Sequence, residues 1–411
     1  MGRPKGCRFC GAPLHVTFVD LGVSPLANRY LESHELNREE LFYPLRAYIC
    51  AECLLVQLEE FESPVRIFSD YAYFSSYSES WLEHAREYVR KAIKRFRLDD
   101  ESLVIEIGSN DGYLLQYLVR EGIPVLGIEP AANVAPAAEE KGVPTLIRFF
   151  SKELAEELTV EGRLPDLLLG NNVLAHVPEL NNFVAGMKVL LRPGGVITME
   201  FPHLQRLIEQ NQFDTIYHEH FSYFSLSTAR RILEAHGLRI FDVEELPTHG
   251  GSLRIYACHA EENSEPPAPS VSDVVAGEEA SGLATLEGYL SFSERVRDIK
   301  LAVLEFLIEA KRDGRAIAAY GAPAKGNTLL NYCGIGTDFI EYTVDRNPVK
   351  QGRFLPGSRI PIHSPAKIAE TRPDYVLILP WNLKEEIVGQ MSHIREWGGK
   401  FVVAIPDLQV F

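Results

Sequence analysis

Val104-Ile105-Glu106-Ile107-Gly108-Ser109-Asn110-Asp111-Gly112 is the stretch on which the reading of this 411-residue chain turns. An apolar run reaches two glycines, as where a strand ends in a tight turn and a helix begins. Glycines there let the backbone approach a bound cofactor at the carboxyl edge of a parallel sheet. A pyrophosphate loop would read Gly-x-Gly-x-x-Gly. Here Glu106 replaces the first glycine, and a carboxylate suits the amino group of a methionine moiety better than a phosphate. Glu129 ends the next strand about 20 residues on, where an acidic side chain can accept from both ribose hydroxyls. Glu106, Gly108, Ser109, Asn110, Gly112, Glu129 and the adjoining Pro130 are therefore expected to bind S-adenosylmethionine (SAM). Asn171 and Asn172, ending the fourth strand, face the same crevice. Phe149 and Phe150, after the third, pack either near the adenine or in the core.

Outward from this loop, short apolar strands alternate with helical segments. Candidates are Leu103–Ile107, Val125–Ile128, Thr145–Ile147, Asp166–Leu169 and Gly195–Phe201, preceded by an amphipathic helix from Trp81 to Phe96. The alternation predicts a parallel sheet covered by helices on both faces. Leu238–Leu246 and Leu253–Cys258 follow without a helix between them, an antiparallel pair closing the sheet edge. Glu261 to Ser270 is polar and proline-rich, and reads as a linker. A long helix from Leu283 to Lys311 then leads into a second α/β unit, with strands at Arg315–Tyr320, Phe339–Val344, Tyr375–Leu379 and Phe401–Ala404. The expected fold class is α/β: a Rossmann-like SAM-binding core at residues 69–265, a small module at 1–68, and a second Rossmann-like domain at 271–411.

The first 68 residues show no period long enough for a conventional core, only short ribbon strands such as His15 to Leu21 and Tyr48-Ile49. So small a region needs a staple. Cys7, Cys10, Cys50 and Cys53 supply one, since two Cys-x-x-Cys knuckles complete a tetrahedral four-thiolate zinc site. Four thiolates leave no open coordination position, so the zinc is structural. With only six cysteines in the chain, this usage fits a reducing cytoplasm and zinc better than disulfides.

The chain carries 41 Lys+Arg against 57 Asp+Glu, a net charge of −16. That balance opposes a nucleic-acid partner, and no apolar run is long enough for a membrane span. No signal-peptide core fits before the first cysteine pair, and a cytoplasmic monomer or weak dimer is expected. An anionic substrate would need a local cluster of cations.

The densest polar cluster is Tyr217-His218-Glu219-His220-Phe221-Ser222-Tyr223-Phe224. A phenol, two imidazoles and a carboxylate in four positions are expensive to bury without partners. The cluster lacks His-x-x-x-His spacing for a metal. Imidazole is the natural general base near neutral pH, and a neighbouring carboxylate would orient it. His176 lies just past the fourth strand, either a structural histidine or part of the same site. A second aromatic-hydroxyl cluster, Tyr71-Ala72-Tyr73-Phe74-Ser75-Ser76-Tyr77-Ser78, joins the first module to the core, as a small-molecule site or a hydrophobic seam.

These features together resemble the bacterial SAM-dependent sugar C-methyltransferases that build branched-chain deoxysugars on nucleotide carriers. The resemblance runs the full length. It rests on the four-cysteine module with Leu21-Gly22-Val23-Ser24-Pro25-Leu26-Ala27-Asn28, on Tyr217-His218-Glu219-His220, and on Gly321-Ala322-Pro323-Ala324-Lys325-Gly326-Asn327-Thr328 with Asp345-Arg346-Asn347-Pro348. It implies methyl transfer to C3 of a nucleotide-linked 4-keto-6-deoxysugar, most simply a dTDP-sugar, with no metal in the chemistry. His220 would be the base and Glu219 would orient it. Tyr217 and His176 would stabilise the 4-oxygen, while Tyr71 would hold the sugar with Tyr73, Phe74 and Ser75. The C-terminal block would hold the nucleotide diphosphate through Lys325, Asn327, Thr328, Arg346, Lys350, Arg353 and Trp381. The competing readings are a zinc-ribbon RNA or protein methyltransferase, which the acidic charge opposes, and a non-enzymatic zinc scaffold, which Tyr-His-Glu-His opposes.

Overall fold

The computed structural model describes residues 6–68, 75–262 and 266–411. Tyr71, Tyr73 and Phe74 therefore lie outside the described residues. The helix Glu79–Phe96 forms where the apolar period expects it. Ser78 caps its first turn through Trp81 N, and Arg97, with φ of 53°, ends it in the left-handed region. Trp81, Ala85, Tyr88, Val89 and Ala92 make its buried face.

Among the described residues there are three sheets. The first begins with β1 (Val16–Ser24), β2 (Tyr43–Ile49) and β3 (Val56–Leu58), all antiparallel. The second uses β4 (Val104–Ile107), β5 (Val125–Ile128), β6 (Thr145–Leu146), β7 (Leu167–Asn171) and β8 (Val196–Pro202), paired in parallel. The next strand, β9 (Ser222–Tyr223), leaves that sheet and joins the first one, antiparallel to β3. β10 (Leu238–Leu246) and β11 (Ser252–His259) return, giving the order β10-β11-β8-β7-β4-β5-β6. Because β11 runs antiparallel to β8, the β10–β11 turn lies at the carboxyl edge of the parallel strands, beside the ends of β4 and β7.

The third sheet has the order β14-β13-β12-β15-β16-β17, from β12 (Ile317–Tyr320), β13 (Thr343–Val344), β14 (Ile362–His363), β15 (Tyr375–Ile378), β16 (Lys400–Val403) and β17 (Gln409–Val410). Its strands are parallel apart from β17. The expected long helix breaks at Ser291 into Glu287–Leu290 and Phe292–Arg312. The expected linker is shorter than its composition suggested, because Pro269 and Ser270 begin the helix Pro269–Ala280. That helix packs Val271 into the core of the seven-stranded unit. Its Glu278 is bonded to His203 at 2.7 Å and to the amide of Leu226.

The N-terminal module corrects one expectation. It does have a hydrophobic core, but a shared one. Phe18, Leu45, Ile49 and Val56 belong to the same buried cluster as Phe213, Ile216, Tyr289, Phe292, Leu329 and Leu355. Phe18, fully buried, stacks on Phe292 with centroids 4.7 Å apart and meets Tyr289 edge-on at 6.2 Å. No periodicity within the first 68 residues could reveal this, since the partners, from Phe213 to Leu355, lie far along the chain. Phe18→Ala is accordingly expected to cost about 3–5 kcal/mol in urea unfolding with zinc still bound. An unchanged midpoint would mean that zinc alone holds the module.

Candidate active site

The four cysteine sulfurs all lie within 4.8 Å of one another, with Cys7–Cys53 and Cys10–Cys50 each at 3.5 Å. A zinc ion with Zn–S bonds of about 2.3 Å would set S···S edges near 3.8 Å, so the donor set and its spread fit. Gln57, buried on β3, donates from Nε2 to Cys7 Sγ at 3.1 Å and accepts from Arg8 N at 2.9 Å. Its backbone pairs with Ser222 on β9. Arg8, inside the first knuckle, donates to the carbonyls of Pro178 and Leu58 and lies over the Phe221 ring. Asn181 donates to the carbonyls of Arg8 and Phe9. The knuckle is thus bolted to the loop that follows β7, which carries His176.

At the cofactor loop Gly108 and Gly112 both have φ of 71°, and Asn110 has φ of 49°. A Cβ on Gly108 would press on Val173 at 3.2 Å, so the turn has no room for one. Glu129 Oε2 accepts from Asn110 N and Oε1 from Ala131 N, each at 2.9 Å. These amides fix the carboxylate at the end of β5 and leave further lone pairs for ribose hydroxyls. Glu106 is fully buried, and neither carboxylate oxygen closes a hydrogen bond of good geometry. Burial holds it well above the usual carboxylate range, opposed by Tyr113 and reinforced by Glu129 and Asp111. A buried acceptor of this kind matches a ligand's ammonium group. Ser75 closes the loop from above, its N donating to Asn110 Oδ1 at 2.9 Å. Phe150 takes the core alternative, packing edge-on against Phe183 at 5.1 Å, and Phe149 is exposed.

The Tyr-His-Glu-His segment folds back across the end of β7. Phe221 N donates to Ala175 O at 2.7 Å, which sets His176 and His220 edge to face with centroids 4.8 Å apart. Tyr217 lies 4.1 Å from the His220 ring. His220 Nδ1 donates to Thr215 O at 2.8 Å, since a carbonyl can only accept. That bond makes Nε2 the basic nitrogen. Burial, followed by the neighbouring His176, keeps His220 well below the usual histidine range, and burial alone takes His176 to about 4. Both are neutral imidazoles near pH 7. The expectation that Glu219 orients His220 is corrected here. Both oxygens of Glu219 accept from Asn28 Nδ2, at 2.8 and 2.9 Å, and the Thr215 carbonyl does the orienting. His218 points away, bonding Pro44 O and meeting Tyr43 and Phe61 edge-on.

Three family models match in succession: a zinc binding domain of methyltransferases over residues 7–68, a methyltransferase domain over 81–243, and a C-methyltransferase C-terminal domain over 247–406. The C-methyltransferase NovU of Streptomyces niveus is 38% identical over 404 residues, covering 98% of this chain and 96% of NovU. The chain belongs to the C-methyltransferase family. A ubiquinone biosynthesis O-methyltransferase of Rhizobium etli is 33% identical over 122 residues, spanning 27% of this chain and 48% of its own. The solved magnesium protoporphyrin IX methyltransferase of Synechocystis PCC 6803, with bound SAM, aligns over 43% of this chain and 78% of its own at 17% identity and a TM-score of 0.33. This C-methyltransferase uses SAM and has a zinc-binding N-terminal domain. No helix among its described residues is long and apolar enough to cross a membrane.

The C-terminal domain departs from the expected phosphate cluster. Asn327 and Thr328 are buried, and they bond the carbonyls of Ala27 and Ile216, at 2.6 and 3.3 Å. Asn327 ties the domain to the N-terminal module and Thr328 ties it to the segment that leads into Tyr217, so these donors are engaged within the protein. Lys350 Nζ bonds Ala322 O and lies 3.8 Å from Asp345. Arg346 and Arg353 are turned to Glu386 and Glu32, at 3.4 and 3.8 Å. Lys325 faces inward, bonded to Asn382 Oδ1 and 4.7 Å from the Trp381 ring. Trp381 Nε1 donates to Asp214 at 2.8 Å, beside Thr215. Burial lifts Asp214 to about 7, with Lys325 opposing.

Several residues of the site escaped sequence reasoning. Glu200, fully buried on β8, accepts from His84, from Arg254 Nη2 at 2.6 Å and from Thr248 Oγ1 at 2.9 Å. Burial opposes its ionisation, but these three partners together hold it at about 2. Trp81 packs against His84, Tyr113 and His249. Only the Thr-His-Gly-Gly turn between two strands could have signalled His249.

Two outcomes follow for the C-methyltransferase. Purified protein is expected to hold about one zinc per chain, lost with accompanying destabilisation when Cys50 and Cys53 are replaced by serine, as metal analysis and melting would read. A Cys7–Cys10 or Cys50–Cys53 disulfide in fresh protein would contradict this. Glu129→Ala is expected to weaken S-adenosylhomocysteine binding roughly 10- to 150-fold in calorimetry, with the fold unchanged.

Proposed function

We propose that this C-methyltransferase methylates C3 of a nucleotide-linked 4-keto-6-deoxysugar. The observation that carries the reading is the tautomer of His220, set by Thr215 O in a site that also holds His176 and Tyr217. A proton on carbon is a poor acid unless the adjoining bond leads to a carbonyl, where enolate formation lowers the barrier. His220 Nε2 takes the C3 proton, and Nδ1, already bonded to Thr215 O, stabilises the imidazolium that results. That cation would be unfavourable alone in so buried a place. Here it forms together with the enolate, so the two charges compensate each other. Tyr217 and His176, a phenol and a neutral imidazole, are suited to donate to the 4-oxygen as its charge develops. Glu106 and Glu129, about the 104–112 loop, would hold SAM, whose sulfonium would give up its methyl group to the C3 carbanion and leave as S-adenosylhomocysteine.

We assign the nucleotide diphosphate to the C-terminal domain. Lys325 supplies the inward cation there. Arg346 and Arg353 sit in long, exposed ion pairs of the kind worth about 0–1 kcal/mol, so a phosphate can draw them from Glu386 and Glu32. Glu219, held by Asn28, and Tyr71 are assigned to the sugar. The net charge of −16 opposes an RNA substrate.

His220→Asn is the test. Asparagine keeps a polar side chain but cannot accept the proton, so methylation is expected to fall roughly 10²- to 10⁴-fold while cofactor and nucleotide-sugar binding persist. In heavy water with S-adenosylhomocysteine, the wild type is expected to exchange the substrate C3 proton and the variant not. A variant that keeps most of its turnover would move the base elsewhere.

A further inference from the structure

We propose that His249 is a positioning residue for the cofactor crevice, acting through Asn172. The proposal rests on the assignment of that crevice to SAM. His249 sits in the turn between β10 and β11, at the carboxyl edge of the sheet, with φ of 55°. A non-glycine residue is kept in the left-handed region only where its surroundings over-determine it. Here they do, from two sides. The preceding residue, Thr248, is bonded through its hydroxyl to the buried Glu200 at 2.9 Å. The following residue, Gly250, accepts from Gln212 Nε2 at 2.7 Å, and a Cβ there would lie 2.3 Å from the Trp381 ring. The backbone of the turn is thereby clamped between the sheet and the C-terminal domain.

The imidazole it carries is aimed at the cofactor crevice. Its Nε2 lies 3.3 Å from Asn172 Nδ2, and its ring packs on Trp81 at 5.2 Å. Asn172 follows β7 directly with φ of 56°, and Asn171 before it bonds Tyr113, the residue that favours the ionised form of Glu106. The remaining amide atom of Asn172, Oδ1, is buried without a hydrogen-bond partner. One end of the amide is held by His249, so the other is fixed as an acceptor, at the end of the strand next to the one that carries Glu106, whose carboxylate oxygens close no hydrogen bond of good geometry. Two unsatisfied acceptors at the carboxyl ends of adjacent parallel strands suit the ammonium group of an amino acid moiety, with several N–H donors to place. Burial keeps His249 neutral, near 4, so the ring can accept from the amide at working pH.

The test uses His249→Gly, chosen because glycine accepts the left-handed backbone and removes only the ring. His249→Asn, which also tolerates that backbone, is the second variant. The full chain with its zinc is titrated calorimetrically with S-adenosylhomocysteine. Both variants are expected to bind about 5- to 10-fold more weakly, with the melting temperature held and turnover at saturating SAM close to wild type. Asn172→Gly, which also accepts the left-handed backbone, is expected to show the same loss, and His249→Gly with Asn172→Gly no more than Asn172→Gly alone, because the histidine acts through the amide. Unchanged affinity in His249→Gly, additive losses in the double variant, or lost turnover at saturating SAM would each overturn the proposal. Glu129→Ala in parallel separates the two claims. If it too binds normally, the cofactor lies elsewhere; if it alone fails to bind, only the role of His249 is lost.

Discussion

His220 donates from Nδ1 to the Thr215 carbonyl over 2.8 Å, and the chemistry assigned to the site depends on that geometry. The bond leaves a basic nitrogen on the opposite side of the ring and offers the protonated ring a partner without changing its position. A carboxylate in the same place would have raised the affinity of the imidazole for protons. A carbonyl raises it less, and burial is left free to keep the ring neutral. The proposed base would thus start uncharged and become charged only as the substrate does.

Thr215 can play this part because both flanking domains hold its neighbourhood. Phe213 packs against Tyr332, and Asp214 accepts from the indole of Trp381, both from the C-terminal domain. Thr328 donates to Ile216 O. On the far side Tyr223 and Ser222 pair with Val56 and Gln57, and Gln57 reaches Cys7 in the zinc knuckle. The Tyr-His-Glu-His segment therefore leads directly into β9, an edge strand of the zinc module's sheet, and its Phe221 bonds Ala175 beyond the end of β7. Four thiolates would leave a zinc ion no open coordination position, and the link from Cys7 through Gln57 to Ser222 joins that site to the strand that follows His220.

Much of this was legible in the sequence. The strands of the central sheet stand within two residues of their expected ends, because buried parallel strands are written as short apolar runs between turn signals. The cysteine knuckles, the loop from Glu106 to Gly112 and the Tyr-His-Glu-His cluster are contiguous motifs, and contiguity is what a single sequence exposes. Convergence is not exposed. Asn28 and Glu219 are 191 residues apart, and Asn327 and Ala27 are 300 apart. Nothing local marks these residues as partners. The same blindness made the first module look coreless, when its apolar residues were waiting for Phe292 and Leu329, and gave His220 the adjacent Glu219 as its orienting group. His249 lay in a plain hairpin turn. Only the antiparallel return of β11 puts that turn beside the ends of β7 and β4.

The central claim concerns a single proton. Nitrogen NMR of the intact, zinc-loaded protein, labelled at histidine and assigned through His220→Asn, reads which ring nitrogen carries it at neutral pH. The account requires His220 to be the Nδ1–H tautomer, with Nε2 unprotonated, and to remain neutral well below pH 6.5, the usual histidine value. A proton on Nε2 or a permanently charged ring would contradict it.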